Sequence, residues 1–132
     1  VRQDSDNPVY YVQYAHARIC SLIARLAEEG DKVPDAAEVD PAVFSTEEEK
    51  SLIKTLSQLP ETIRLSARDY DPSHVNRYLT TLAGEFHRFY NSCRIKGEAP
   101  EVLAARLKLS DTVRAVIANC LALLGVSAPE KM

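Results

Sequence analysis

The stretch that decides the fold is residues 8–26, PVYYVQYAHARICSLIARL. Within it Val12, Ala15, Ile19, Leu22, Ile23 and Leu26 recur at steps of three and four, the period of one helix face. Pro8 suits a first helical turn, where the missing N–H would have had no partner, and Asp6 or Asn7 before it offers a capping oxygen. Gly30 stops the pattern. The predicted helix has about 22 residues and a length of about 33 Å. A stripe of that length must be buried against other elements, so the rest of the chain has to supply them.

It supplies more of the same kind. Ser45-Thr46-Glu47-Glu48 has the S-x-x-E spacing of a capping box, and Leu52, Ile53, Leu56 and Leu59 follow as a short amphipathic helix that Pro60 is expected to end. Glu61 to Arg68 is expected to form another short helix with Ile63 and Ala67 facing inward. Asp71-Pro72 is a second capped start. After it Val75, Tyr78, Leu79, Leu82, Phe86, Phe89, Tyr90 and Cys93 make a stripe that Gly97 closes. Pro100 begins a last helix carrying Leu103, Leu107, Val113, Val116, Ile117, Cys120, Leu121 and Leu124, with Gly125 as its C-terminal cap. Residues 30–44 hold Gly30, Pro34, Pro41 and several acids without a period, and read as a surface loop. No convincing alternating strand is present. Residues 1–132 are therefore expected to form one all-α domain, a helical bundle of about five helices.

Composition agrees. The 132 residues are 45% hydrophobic and 27% charged, enough apolar material for a packed core and too much for disorder. No run of 18 apolar residues marks a membrane span, and no signal-peptide pattern opens the chain. Only four glycines are present, few for a turn-rich β-sandwich or a phosphate-cradling loop. The chain begins at Val1, which reads as an excised or processed piece. Cys20, Cys93 and Cys120 are odd in number and form no CxxC pair, which fits buried thiols in a reducing, cytoplasmic setting. The formal charge of −3 hides an asymmetry: residues 28–49 hold nine acids against Lys32 alone, or −8, so the remainder carries +5. That remainder could bind an anionic partner, or the two regions could be solvated surfaces of opposite sign.

Catalytic signatures are missing. There is no G-x-S-x-G elbow, no P-loop and no G-x-G-x-x-G fingerprint. Glu47-Glu48-Glu49 reads as a helix first turn, where negative charge meets the positive end of the dipole. His16 and Cys20 share a helix face at a metal-site spacing, but no second pair accompanies them. We read Cys20 as packed and His16 as a partly exposed hydrogen-bonding group. The start of the first helix is more informative. Tyr10, Tyr11, Gln13, Tyr14, His16 and Arg18 crowd into three turns. Aromatic faces stack unpaired bases, and amide and guanidinium groups read base edges and phosphate. The same residues also suit amphipathic packing or a protein-binding face, since Tyr and Arg are common hot spots.

The stretch SDNPVYYVQYAHARI closely resembles the start of the helical anticodon-binding domain, called DALR, of arginyl-tRNA synthetases. At the other end, Leu123-Leu124-Gly125-Val126-Ser127-Ala128-Pro129-Glu130-Lys131-Met132 fits the family's typical tail throughout. The resemblance covers essentially the whole chain. It implies a C-terminal module that holds the anticodon stem-loop of arginine tRNA for a class I catalytic domain of the same polypeptide. It implies ATP with magnesium as that domain's requirement, a cytoplasmic location, no membrane and a monomer. The signatures of class I catalysis are absent here, so this piece is expected to be non-catalytic alone. Carried over by motif, the tRNA-binding residues are Tyr11 and Arg18, with Gln13 and Tyr14 between them, Tyr90 in His87-Arg88-Phe89-Tyr90-Asn91, and the terminal Met132. The name-giving D-A-L-R reads here as Asp111-Thr112-Val113-Arg114, whose acid and base are expected to pair within the helix. The alternative reading is a helical protein–protein interaction module using the tyrosine-rich face.

Overall fold

The computed structural model describes residues 8–132. Among them are five α-helices: α1 (Pro8–Glu28), α2 (Glu47–Ser57), α3 (Leu59–Asp69), α4 (Ser73–Ser92) and α5 (Pro100–Leu123). Two single 3-10 turns, Ala36–Glu38 and Pro41–Val43, interrupt the connection from α1 to α2. No strand occurs among the described residues, and no helix there is long and apolar enough to cross a membrane. The cap predicted at Asp6 or Asn7 lies outside the described residues.

The central element is α4, which packs against each of the other four helices. Its sequence explains this: Val75, Tyr78, Leu79, Leu82, Ala83, Phe86 and Phe89 are all buried, a stripe wide enough to serve several neighbours. Ile19, Leu22 and Leu26 of α1, Leu52 of α2, and Leu107, Val113, Ile117 and Leu121 of α5 complete one continuous core. Burying side chains of this size is worth about 1.5–3 kcal/mol each, so the core rather than helix propensity holds the bundle together. At its edge the Tyr78 hydroxyl donates to the Thr55 carbonyl at 2.8 Å. Burial pushes that phenol up to about 12.

Two glycines end helices in the way their backbone freedom allows. Gly30 has φ +93° and Gly125 has φ +74°. Behind each, the next amide reaches back to close the last turn: Asp31 N–H donates to the Leu26 carbonyl, and Val126 N–H to the Leu121 carbonyl, both at 2.9 Å. The turn at Gly125 sends the tail back over the bundle, where Val126 and Ala128 pack against the core. Gln13 Nε2 donates to the Ser127 carbonyl at 2.9 Å, and His16 Nδ1 donates to the Pro129 carbonyl at 2.9 Å.

Several local expectations shift. The capping box is one residue later than predicted: Thr46 caps α2, and Glu49 reaches back to the Thr46 N–H at 3.0 Å. Pro60 does not end a helix but sits in the first turn of α3, where its missing N–H costs nothing. Ile63 and Ala67 are exposed rather than inward-facing, because α3 lies at the edge of the bundle and buries no residue fully. Gly97 does not close α4. That helix stops at Ser92, and Ile95 turns back into the core before Gly97 is reached. His16 is buried rather than partly exposed, beneath the returning tail.

Glu49 is also more than a first-turn acid. It is fully buried, and Arg106 of α5 donates to it from Nε at 3.0 Å. Arg106 Nη1 donates in addition to the Arg94 carbonyl at 2.5 Å. Burial opposes the charge on Glu49, but hydrogen bonds from the Thr46 backbone, the Arg106 guanidinium and the Thr46 hydroxyl outweigh it, and its carboxyl is held below the ordinary value.

Candidate nucleic-acid interface

α1 has two working sides. Val12, Ala15, Ile19 and Leu22 are buried. Tyr10, Tyr11, Tyr14 and Arg18, at steps of three and four, line an open concavity together with His87 of α4. Its volume is about 400 Å³. Tyr14 is exposed, whereas Tyr11 packs partly against the core and its hydroxyl reaches across to α4, 3.9 Å from where a Cβ on Gly84 would stand.

His87 is the hub. Its ring centre lies 5.4 Å from that of Tyr11 and 6.3 Å from that of Tyr14, both tilted. Arg18 reaches the same spot from α1: Nη1 donates to His87 Nδ1 at 3.3 Å, and the guanidinium carbon sits 4.5 Å above the centre of the Tyr90 ring. Tyr90 in turn stacks on Phe86 of the core, with centres 5.9 Å apart and planes inclined by 29°. Arg18 is thus held by a cation–π contact beneath and a hydrogen bond beside it, which fixes a long side chain that would otherwise be mobile. Burial first, and the Arg18 charge second, push the His87 imidazole below its ordinary value. At neutral pH the ring is uncharged, and Arg18 carries the positive charge of the group.

Tyr90 also borders a second groove of about 220 Å³, shared with Leu22, Arg25, Cys93, Arg94, Ile95 and Lys96. Lys96 Nζ pairs with Glu29 at 2.6 Å. Among the described residues Arg25 and Arg94 form no ion pair, so two guanidinium groups beside the tyrosine site keep their charge available.

The structure brings together Tyr11, Tyr14, Arg18 and Tyr90. It does not bring Gln13 to them, since that amide points to the tail and is engaged by Ser127. Met132 is exposed at the end of the tail and does not line the concavity. Asp111 and Arg114 pair within α5 at 2.8 Å, as their spacing implies. His16 Nδ1 and Cys20 Sγ are 3.7 Å apart, but no third His, Cys, Asp or Glu joins them to make a metal-holding group among the described residues. Burial raises the Cys20 thiol above its ordinary value, the wrong direction for a reactive thiolate. Sequence reasoning places Tyr10 among the crowded tyrosines of the first turns but not in the tRNA-binding set, and it does not select His87. For His87 the available sign was its position one turn before Tyr90 on the same helix.

Comparison with known proteins matches the chain to a family. The family model described as "DALR anticodon binding domain" matches residues 12–132. The chain is 50% identical over its full length to an arginine–tRNA ligase of Acetivibrio thermocellus, and 48% identical to that of Ruminiclostridium cellulolyticum. It spans about a quarter of the length of these relatives, 23% in each case. Among solved structures, the arginyl-tRNA synthetase of Thermus thermophilus superposes with a TM-score of 0.80 at 27% identity, covering 92% of this chain and 21% of that one. A Campylobacter jejuni chain assigned as an arginyl tRNA synthetase gives the same TM-score at 31% identity, covering 99% of this chain and 28% of that one. With a family match over nearly all its length and curated relatives of about half-identical sequence, this chain belongs to the DALR anticodon-binding domain family.

Proposed function

We propose that residues 1–132 form the module of an arginine–tRNA ligase that grips the anticodon stem-loop of arginine tRNA, positioning it for ATP-dependent aminoacylation elsewhere on the polypeptide. The observation that carries this reading is the concavity of Tyr10, Tyr11, Tyr14, Arg18 and His87, backed by Tyr90, on a chain of the anticodon-binding family. Anticodon-loop bases are unpaired or easily splayed. Tyr11 and Tyr14 offer them stacking faces, and Arg18 offers a fixed donor fork. Tyr90 acts by holding Arg18. Gln13 holds the tail through Ser127, and Met132, exposed at the end of that tail, is the residue proposed to reach the anticodon loop. ATP and magnesium belong to the catalytic part. Neither a glycine-rich phosphate loop nor a cluster of metal-holding side chains is offered by the described residues, and no chemical step is assigned to this chain. The working setting is the cytoplasm, and the working state is a monomer joined to its catalytic domain.

The test is a titration of arginine tRNA against the protein at two salt concentrations, beside a tRNA of another specificity. Tighter binding of arginine tRNA, weakening as salt rises, is expected. Binding that ignores both salt and tRNA identity would sink the reading.

A further inference from the structure

His87 lies at the centre of the concavity, and the hydrogen bond on one of its nitrogens decides the chemistry of the other. An arginine side chain has only donors, so in the contact between Arg18 Nη1 and His87 Nδ1, at 3.3 Å, Nδ1 is the acceptor. A neutral imidazole that accepts at Nδ1 carries its proton on Nε2. Burial and the Arg18 charge both disfavour a second proton. Three rings crowd the imidazole, Tyr11, Tyr14 and Phe86, with centres 5.4, 6.3 and 6.0 Å away and planes inclined by 49°, 32° and 63°, so turning the ring would disturb all three contacts as well as the bond to Arg18. Nε2 has no hydrogen-bond partner among the described residues, although His87 lines the concavity.

We propose that His87 is a specificity-determining residue, whose Nε2–H donates to an acceptor atom on the edge of an unpaired base stacked among Tyr10, Tyr11 and Tyr14. This rests on the tRNA-binding reading and deepens it. Stacking alone tolerates any base, because every base has a π-face. A directed donor does not, because a base with an amino group at that point leaves two donors facing each other in a partly desolvated site. His87 and the remaining N–H groups of Arg18 make this wall donor-rich. The base it accepts is therefore one with acceptor oxygens or ring nitrogens on the edge it presents, and an amino group at the same place is excluded. Arg18 has a second role here: besides its own contacts, it sets the tautomer of its neighbour.

The experiment pairs protein and RNA changes in the full-length protein that contains this chain. Each anticodon-loop base is replaced in turn by an analogue lacking one acceptor, and affinity is measured for the wild type and for His87→Phe, which keeps an aromatic ring and removes the donor. The wild type is expected to lose roughly tenfold for one acceptor at one position, and His87→Phe is expected to be indifferent to that same change. His87→Gln, which restores an N–H donor, covers the case in which His87→Phe fails to fold, and is expected to keep the sensitivity. If no acceptor deletion affects the wild type, or if His87→Phe retains the same loss, His87 is not the reader. A wild type that fails to prefer arginine tRNA at all would instead overturn the tRNA-binding reading.

Discussion

Arg18 shows how one residue gathers several roles through geometry. Its guanidinium is planar, so it can lie flat over Tyr90 at 4.5 Å while one nitrogen meets His87 at 3.3 Å. A lysine has the same charge but neither the flat face nor the fork. Arg18→Lys should therefore fall much nearer to Arg18→Ala than to wild type. Both are expected to weaken arginine tRNA binding by roughly tenfold to a hundredfold, as for loss of charge-assisted hydrogen bonds. The helical content and thermal midpoint should change little, because Arg18 is only partly buried and contributes nothing to the central core. Affinity and aminoacylation assays on the three proteins check this. A lysine variant that matched wild type would show that charge alone matters and that the stacked geometry does not.

Among elements, the tie between α2 and α5 is the one whose consequences can be calculated in sign. Glu49 is buried and bonded to Arg106, and its carboxyl is held below the ordinary value of 4.5. The unfolded chain thus takes up a proton at higher pH than the folded chain does. The stabilisation is fully present above the ordinary carboxylate value and is lost as pH falls through and below it. Arg106→Met should cost about 3 kcal/mol at pH 7, because it leaves the buried Glu49 carboxylate without its countercharge, and Glu49→Gln should cost less, because Arg106 keeps the Arg94 carbonyl and Glu98 at 3.6 Å; the double variant should cost clearly less than the two together. Urea unfolding at pH 7 and at pH 4 measures both effects. The gap between wild type and Glu49→Gln should narrow at the lower pH, and a gap that widened would contradict the assigned direction. This tie was illegible in the sequence. The stripes of α1, α4 and α5 could be read because each buries a face that repeats with the helical period. Glu49 and Arg106 pair across 57 residues, and nothing local to either marks it. The same reason explains Gln13: its partner, Ser127, is 114 residues away, so composition placed it with the tyrosines when its side chain serves the tail. The boundary near Pro60 failed differently, since proline is equally at home just after one helix and in the first turn of the next.

For the whole molecule, a formal charge of −3 would repel RNA if it were spread evenly. It is not: the acids concentrate in residues 28–49, and the concavity is bordered instead by Arg18 and, beyond Tyr90, by Arg25 and Arg94. The charge asymmetry was visible in the sequence. Which basic side chains stand beside the tyrosines required the fold, because Arg25 lies in the last turn of α1 and Arg94 in the segment after α4, and they share only the Tyr90 groove. If that groove guides the phosphate backbone toward the tyrosines, its arginines act through counterion release rather than base reading. Arg25→Gln and Arg94→Gln should each weaken binding of all RNA loops alike at low salt. Each should also make the slope of log affinity against log salt shallower by about 0.7, the value of one phosphate contact to a single strand. Preference for arginine tRNA over other tRNAs should persist, because that preference lies with the donors in the concavity. Arg64→Gln is the control: Arg64 lies on α3, exposed and paired with Glu61 at 2.6 Å, and removes the same formal charge from the edge of the bundle. Its slope should match wild type. If Arg64→Gln flattens the salt dependence as much as Arg94→Gln does, the attraction comes from overall charge, and the groove beside Tyr90 is not a phosphate track.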